Sequence, residues 1–261
     1  MAVKQLRVGT LKLEIYANQQ AAGEAAARSA AETLKQLDHA QQEIGVIFAT
    51  GASQLSTLHA LTSMPGLPWR KVHGFHLDEY VGIAENHPAS FRRYLRENLT
   101  DRVPIAEFFE IDGSTSDPDR VREDYVRKLH EADPQLCLLG IGENGHLAFN
   151  DPPEANFNDP DAMKVVTLDA ECREQQLAEG WFKKLEDVPQ RALTLTIPTL
   201  LKVSKLIVSV PGQRKAQSVR RTLEEPISTA CPATILRTHP DATLYLDQES
   251  ASALNGLLTA E

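Results

Sequence analysis

Short apolar runs alternate with helical segments along the chain, and this alternation limits the possible folds more than any other feature of the sequence. The clearest runs occupy residues 44–48, 72–77, 136–139 and 206–210, and turn residues bound them. Such runs are typical of buried strands in parallel sheets. We therefore predict an α/β fold in which a doubly wound, mostly parallel sheet carries helices on both faces.

Further elements complete this pattern. No linker rich in Gly and Ser or in Pro interrupts them, so we expect one domain over residues 1–261. The additional predictions are strands at 13–16, 165–168 and 244–246, an apolar segment at 193–197, helices over 20–37, 54–62, 90–98, 118–131 and 173–176, a helix opening at Gly212, and a helical C-terminal tail.

The segment from residue 140 to 152, called the Gly-rich loop below, directly follows the predicted strand 136–139. It places His146 and Asp151 just beyond the end of that strand, where open α/β sheets bind their ligands. An imidazole with an ordinary pKa of about 6.5 can exchange a proton with a neighbouring carboxylate near neutral pH. We therefore expect the chemistry of this protein in the Gly-rich loop.

The same loop also contains the spacing Gly-x-Gly-x-x-Gly, formed by Gly140, Gly142 and Gly145. In dinucleotide-binding sites the third glycine opens a helix whose N-terminus holds a pyrophosphate. Here Asn150 and Pro152 interrupt the chain within a few residues, so a nicotinamide or flavin site is rejected. We expect no cofactor.

Two turns between a strand and a helix have the features of an anion site. The first consists of Thr50, Gly51, Ala52 and Ser53. Backbone N–H groups, two hydroxyls and the positive end of a helix dipole converge there. The alternative is an ordinary turn in which Ser53 caps the helix.

The second turn begins at Gly212 and adds two cations, Arg214 and Lys215. Cations at the start of a helix are unfavourable toward the helix dipole, and a bound anion would offset that cost. A solvated charge pair is the alternative.

Asp78 ends the predicted strand 72–77, and a partly desolvated carboxylate at such a position can act as a general base. Its neighbour Glu79 should point the opposite way, since side chains alternate along a strand. The alternative is an aspartate that caps the following turn. His73 and His76 precede Asp78 and are candidates to support it.

The charge balance limits the possible partners. The chain has 36 acidic and 27 basic residues and a net charge of −9, which argues against nucleic acid and anionic membranes. Any anionic ligand must then be attracted by a local site.

The cysteines and the apolar stretches limit metal sites and location. Cys137, Cys172 and Cys231 are widely spaced, which indicates neither a disulfide framework nor a zinc site, and we expect them to be buried. No signal-like opening and no apolar stretch of about 18 residues is present, so we expect a cytoplasmic protein.

Four segments carry a resemblance to a known family: Thr-Gly-Ala-Ser at 50–53, Phe-His-Leu-Asp-Glu-Tyr-Val-Gly at 75–82, Gly-Glu-Asn-Gly-His-Leu-Ala-Phe-Asn-Asp-Pro at 142–152, and Gln-Arg-Lys-Ala at 213–216. In this order they resemble glucosamine-6-phosphate deaminase, of the glucosamine/galactosamine-6-phosphate isomerase family. The resemblance runs from about Leu13 to the C-terminal helix. It implies a Rossmann-like fold and conversion of glucosamine 6-phosphate and water into fructose 6-phosphate and ammonia without a cofactor.

The resemblance also implies roles for individual residues. Asp78 would take the C2 proton of the sugar and return it to C1, and His146 would open the pyranose ring. Asp151 and Asn144 would orient the imidazole. The phosphate would be held by Gly51, Ala52, Ser53 and Lys215, with Thr50 and Arg214 beside them. The partner is then a small sugar phosphate, and a homo-oligomer stays possible.

The sequence departs from the family pattern at several positions. Asp151 stands where family members usually have Glu, so its reach to His146 is one methylene shorter. The family arginine that contacts phosphate falls near Ala178, and the nearest arginine is Arg173. Lys164 is the one basic residue between Glu154 and Thr167, so we expect no activation by an N-acetylated sugar phosphate.

Two other functions compete with the deaminase. The 6-phosphogluconolactonases resemble this chain in fold and in the Gly-His loop, but they lack a carboxylate five residues after the histidine. A non-catalytic sugar-phosphate sensor would keep the pocket without efficient ring opening. The choice between glucosamine and galactosamine as the substrate sugar stays open.

Overall fold

A computed structural model describes residues 2–168, 170–178 and 180–254. Its strands are β1 (Lys4–Val8), β2 (Leu11–Tyr16), β3 (Ile44–Phe48), β4 (Val72–His76), β5 (Asp78–Tyr80), β6 (Glu107–Phe108), β7 (Leu136–Leu139), β8 (Met163–Thr167), β9 (Arg191–Leu195), β10 (Lys205–Val210) and β11 (Ala242–Asp247). Its α-helices are α1 (Gln19–Ala40), α2 (Leu55–Thr62), α3 (Phe91–Leu95), α4 (Pro118–Ala132), α5 (Ala170–Ala178), α6 (Ile197–Lys202) and α7 (Ala216–Glu224).

The larger sheet has eight strands in the order β1-β2-β11-β10-β7-β3-β4-β6. β1 and β2 pair antiparallel, and all other neighbouring strands pair parallel. The predicted mostly parallel sheet is therefore confirmed. Strands β3 and β7 also have the predicted limits.

Burial on both faces of the sheet explains why its central strands are continuous apolar runs. Val46 of β3 belongs to the apolar cluster that contains the alanines of α1, together with residues of α2. Ile47, which points to the opposite face, belongs to the cluster that contains Leu129 of α4, Leu200 of α6 and Val219 of α7. Helices cover both faces, as predicted.

The small residues of α1 let this helix lie close to the sheet. Ala26, Ala27 and Ala30 are fully buried, and the side chain of Asn18 caps the helix by accepting a hydrogen bond of 2.9 Å from the N–H of Ala21. The helix predicted over 20–37 is therefore confirmed, with one extra residue at its start and three at its end.

A second sheet was not predicted. It has three antiparallel strands in the order β5-β9-β8. The strand predicted at 165–168 is β8, and the apolar segment predicted at 193–197 divides into β9 and the start of α6. An apolar run alone does not tell a parallel strand from an antiparallel one, so the sequence does not indicate a second sheet.

The prediction that Asp78 ends a strand of the main sheet is wrong. β4 ends at His76, and Asp78 begins β5 and pairs with Thr194 of β9. The imidazole of His76 fixes this change of sheet: its Nε2 accepts from the N–H of Ile111 at 2.8 Å, so its Nδ1 donates to the carbonyl oxygen of Asp78 at 2.9 Å.

Several other limits differ from the predictions. The helix predicted over 90–98 is α3 followed by a π-helical turn, Arg96–Thr100, and the one predicted over 173–176 is the longer α5. β1 and β6 were missed because they are short edge strands with little burial. The helical tail was predicted for the C-terminus, where residues 255–261 lie outside the described part.

The order of the strands fixes where a ligand can bind. From β3 the chain adds β4 and β6 on one side of the sheet, then returns to place β7, β10 and β11 on the other. The carboxyl ends of β3 and β7 therefore border the crevice at which the direction of winding reverses. Over the described ranges, no helix is both long and apolar enough to cross a membrane.

Candidate active site

A cavity of about 370 Å³ lies at the carboxyl ends of β3, β7 and β10, beside the start of β5. Its volume and its place at the reversal of strand order are those of a small-molecule site. Of the predicted site residues, these line it: Thr50, Gly51, Ala52, Ser53, Asp78, His146, Arg214 and Lys215. Asn144 and Asp151 lie behind His146.

The two turns predicted to bind an anion have the same backbone conformation. Gly51 has φ 94° and Gly212 has φ 93°, and each precedes a single 3-10 turn that leads into a helix, α2 or α7. A Cβ at either position would meet nothing within 4 Å, so the backbone conformation and not lack of space requires glycine. The structure brings both turns to one cavity.

Ser53 does not cap the helix that follows it. Neither α2 nor the preceding 3-10 turn has a side-chain cap, and the Ser53 hydroxyl instead accepts a hydrogen bond of 3.1 Å from Nε2 of the buried Gln54. The same amide lies 3.4 Å from the carbonyl oxygen of Leu139 and 3.3 Å from that of Ser209. Gln54 thus connects the turn to the ends of β7 and β10.

Both cations of the second turn, Arg214 and Lys215, lie at the cavity. Arg214 makes an ion pair of 2.7 Å with Glu143 of the Gly-rich loop, which joins two loops across the cavity wall. Both side chains are partly exposed, so the pair contributes little to stability. Lys215 also lines the cavity.

Asp78 faces the cavity from β5 and is only 7% exposed. Burial raises the pKa of its carboxyl group well above the ordinary value, and the nearby charges of Glu79 and Asp151 raise it further. Over residues 2–168, 170–178 and 180–254, its side chain has no hydrogen-bond donor and no cation as partner. The carboxylate therefore has a strong affinity for a proton.

Glu79 points to the other side of β5, as predicted. It is fully buried and accepts hydrogen bonds from the hydroxyl of Ser90 at 2.8 Å and the N–H of Arg92 at 3.1 Å. The guanidinium of Arg92 lies 3.5 Å away. Glu79 thus holds the start of α3 against β5 and lies outside the cavity lining.

His146 and Asp151 are in contact at the other side of the cavity. Their Nδ1 and Oδ1 atoms are 2.9 Å apart, but Nδ1 has no well-aligned hydrogen-bond partner. The shorter side chain of Asp151 therefore reaches the imidazole but does not lie along its N–H direction. Asn144 completes the group, since its Nδ2 donates to Asp151 at 2.8 Å and its Oδ1 accepts from the N–H of His146 at 3.0 Å.

The pKa of Asp151 moves in the opposite direction to that of Asp78. Burial raises the pKa of Asp151, but contact with His146 and hydrogen bonds from Asn144 and Cys172 outweigh burial and leave it below the ordinary value. The carboxylate of Asp151 is therefore held ionised beside the imidazole.

Glycine and a strained alanine shape the Gly-rich loop. A Cβ on Gly142 would collide with the imidazole ring of His146, so this position has to lack a side chain. Ala148, which lines the cavity, has φ 52°, a conformation that costs a non-glycine residue about 1 kcal/mol. Leu147 and Asn150 close a tight turn, so that no helix follows Gly145 directly.

Gln176 lines the cavity without having been predicted to do so, and Arg173, the arginine nearest to the family position, does not reach the cavity. Gln176 of α5 lines the cavity, and its Oε1 accepts a hydrogen bond of 2.6 Å from the hydroxyl of Tyr80. Arg173 turns away and donates to the carbonyl oxygens of Leu185 and Val188. A glutamine in a polar helix gives no sequence signal for this position.

The remaining predictions for the site concern cysteines and metals. All three cysteines are buried and reduced, as expected for small apolar side chains. In the part of the chain that the structure describes, no group of three or more His, Cys, Asp and Glu side chains could hold a metal ion.

Comparisons of the sequence with known proteins agree on one family. The profile of the family described as glucosamine-6-phosphate isomerases/6-phosphogluconolactonase matches residues 17–245. A glucosamine-6-phosphate deaminase of Exiguobacterium sibiricum is 37% identical over 214 residues, which are 79% of this chain and 80% of that protein. One of Pseudarthrobacter chlorophenolicus is 32% identical over 230 residues, 86% of this chain and 87% of that protein.

Solved structures give the same result. The structure of a monomeric glucosamine-6-phosphate deaminase superposes with a TM-score of 0.84 at 28% identity and covers 92% of this chain and 99% of its own. A 6-phosphogluconolactonase of Trypanosoma brucei has a TM-score of 0.75 at 20% identity, over 96% of this chain and 100% of its own, which shows the shared Rossmann-like fold alone. The chain therefore belongs to the family of glucosamine-6-phosphate isomerases and 6-phosphogluconolactonases.

Proposed function

We propose that this protein is a glucosamine-6-phosphate deaminase that converts glucosamine 6-phosphate and water into fructose 6-phosphate and ammonia. The observation that carries the proposal is the pair of acid–base groups on one cavity: a desolvated carboxylate, Asp78, and a separate imidazole–carboxylate unit, His146 with Asp151. An aldose–ketose isomerisation needs one base at carbon and another acid–base group at the ring oxygen. The curated relatives carry this name.

In the first step the ring opens. His146, whose imidazole lines the cavity, moves a proton from O1 to O5, which breaks the C1–O5 bond and leaves an open-chain aldehyde. Asp151 and Asn144 fix the imidazole: Asp151 contacts Nδ1, and Asn144 donates to Asp151 while accepting from the backbone of His146. The other ring nitrogen is then directed to the substrate.

In the second step Asp78 takes the proton from C2, which gives an enolamine. The same carboxyl group returns a proton to C1, so that C2 becomes an imine carbon. Water adds to C2 and ammonia leaves, and the ketone of fructose 6-phosphate forms. The raised pKa of Asp78 suits this task, because a carboxylate with no donor around it is a stronger base than one in water.

The phosphate lies between the two similar turns in this proposal. The segment from Thr50 to Ser53 supplies backbone N–H groups and hydroxyls, and Lys215 supplies the positive charge, with Arg214 beside it. Because the net charge of the chain is −9, long-range attraction does not bring an anion here and these local groups have to.

Lys215→Ala tests the phosphate site. It should raise KM about tenfold or more with a smaller change in kcat, since a charge-assisted contact to the phosphate is lost. Lys202→Ala, which removes a cation at the end of α6, serves as the control. A parental KM for Lys215→Ala at several salt concentrations would contradict the assignment.

A substrate panel tests the proposed function itself. Purified protein should release ammonia and form fructose 6-phosphate from glucosamine 6-phosphate. Galactosamine 6-phosphate decides the sugar epimer, and 6-phosphogluconolactone serves as the counter-substrate. Hydrolysis of the lactone without ammonia release would make the protein a lactonase, and binding without turnover of any of the three would make it a sensor.

Three further properties belong to this proposal. The chain forms one domain over residues 1–261, and the protein acts in the cytoplasm, where phosphorylated sugars are retained by their charge. Self-association into a homo-oligomer is compatible with the site, because the acid–base groups all come from one chain.

A further inference from the structure

We propose that Gln176 of α5 is a substrate-contacting residue, which donates a hydrogen bond from its amide nitrogen to a sugar oxygen close to Asp78. This inference rests on the proposed function, because it assigns a role to Gln176 in the same cavity. The contact would contribute to recognition of the sugar and not of its phosphate.

Gln176 is a buried polar side chain that lines the cavity. It is 7% exposed, so its amide is almost completely removed from bulk water. A buried amide normally satisfies both its oxygen and its nitrogen with hydrogen-bond partners. Over the described side chains, the oxygen has a partner, the hydroxyl of Tyr80 at 2.6 Å, and the nitrogen has none.

The amide nitrogen of Gln176 has no hydrogen-bond partner among the residues whose side chains the structure describes. Because Tyr80 donates to Oε1, the amide nitrogen is the end of the side chain that is left to donate to a ligand in the cavity that Gln176 lines. A ligand that enters the cavity without an acceptor there would leave this donor unsatisfied, which weakens its binding.

The geometry of β5 indicates which part of the substrate is contacted. Asp78 and Tyr80 are two residues apart on this strand, so their side chains project from the same face. Tyr80, which holds the amide of Gln176, therefore lies on the face of β5 that also carries Asp78, and on this ground we place the contact near C1 and C2 of the sugar. The turns around Gly51 and Gly212, proposed for the phosphate, lie at the ends of other strands.

Gln176→Glu is the decisive variant. Glutamate has the same shape and keeps an oxygen for the Tyr80 hydroxyl, but it has no N–H group to donate. KM for glucosamine 6-phosphate should rise about tenfold while kcat stays within about threefold. The melting temperature should stay at the parental value, since the contact with Tyr80 is retained.

Two further variants and a control complete the design. Gln176→Met removes both polar ends and should also raise KM, by about three- to tenfold. Tyr80→Phe keeps the ring but frees the amide to rotate, and a smaller rise of about two- to fourfold is expected. Glu174→Gln makes the reverse exchange on an exposed position of the same helix and should leave KM within about twofold.

Inhibition by inorganic phosphate separates the sugar from the phosphate. Its inhibition constant should be the same for the parent and for Gln176→Met. An equal loss of phosphate affinity would overturn the placement near Asp78, and an unchanged KM for both Gln176 variants would overturn the contact. An inactive parent would instead contradict the proposed deaminase function, so the two failures are distinguishable.

Discussion

Strand β5 and the Gly-rich loop each bring one aspartate to the cavity region, and their electrostatic surroundings are opposite. Asp78 is buried beside two like charges and has a raised pKa, whereas Asp151 is buried beside donors and has a lowered pKa. The same side chain is thus prepared to accept a proton in one place and to remain ionised in the other. Burial alone does not decide the role of a carboxylate, and its partners do.

The two aspartates are also coupled. The charge of Asp151 is one of the causes that raise the pKa of Asp78. Keeping Asp151 ionised therefore makes Asp78 a stronger base. The donors around Asp151 keep that carboxylate ionised, and the lack of donors around Asp78 keeps it basic. The proposed reaction benefits from both.

The largest effect is expected from Asp78→Asn, which keeps the shape of the side chain and removes the base. kcat should fall about 10²- to 10⁴-fold with KM little changed. Ammonia release and solvent-deuterium exchange at C1 of fructose 6-phosphate, measured with ammonium present, report the loss. Exchange at nearly the parental rate would show that the enolamine mechanism is wrong.

The main sheet, which ends at the Gly-rich loop, could be predicted from the sequence to a greater extent than the small sheet that contains β5. The main sheet follows from apolar runs such as 44–48 and 136–139, because strands buried on both faces need apolar side chains throughout. In the small sheet that carries Asp78, β8 and part of β9 are visible in the sequence as apolar runs, but nothing in them indicates a separate sheet. Its strand β5 has three residues, Asp78–Tyr80, and is held by the imidazole of His76 and by pairing with β9.

The residues of the candidate site were also predictable only in part. Residues next to glycines or strand ends, such as Gly51, His146 and Lys215, were recognised because turn chemistry is visible in sequence. Gln176 was missed, because its place in the cavity depends on a helix that packs over the site from a distant part of the chain. Its hydrogen bond to Tyr80 is a tertiary contact with no local pattern.

His146→Gln should have the second largest effect and should act on a different step from Asp78→Asn. Without the imidazole, opening of the pyranose ring slows, and ammonia release should fall about 10- to 100-fold. The C1 exchange of substrate supplied in open-chain form should be spared, because Asp78 is intact. If His146→Gln lowered ammonia release and C1 exchange equally, His146 and Asp78 would not act on separate steps.

The pH dependence of stability separates the two aspartates without any assay of activity. The pKa of Asp78 is raised by folding, so this group lowers stability from a pH of about 4, where the unfolded group ionises, and the loss grows until the pH passes the raised pKa. Asp78→Asn should therefore be more stable than the parent in urea at pH 7. The difference should close as the pH falls to about 4.

For Asp151 the sign is reversed. Its pKa is lowered by folding, so its charge adds stability that is complete above a pH of about 4 and is lost as the pH falls through the lowered pKa. Asp151→Asn should thus be less stable than its parent at pH 7. Asp151→Asn is best measured in the Asp78→Asn background, where the charge of Asp78 no longer acts on Asp151. A gain in stability there would contradict the opposite electrostatic surroundings of the two aspartates.

The smallest effect is expected from Asp151→Glu, which lengthens the carboxylate beside His146. In the parent, Oδ1 lies 2.9 Å from Nδ1 without a well-aligned hydrogen bond, so the imidazole is held less firmly than a direct N–H···O bond would hold it. The added methylene lets the carboxylate approach along the N–H direction, and kcat for the closed-ring sugar should rise a few fold. The rate of C1 exchange, which depends on Asp78, should stay the same. A large loss of activity would mean that the buried space behind His146 does not accept the longer side chain, since Asp151 is only 4% exposed and has Asn144 at hydrogen-bond distance.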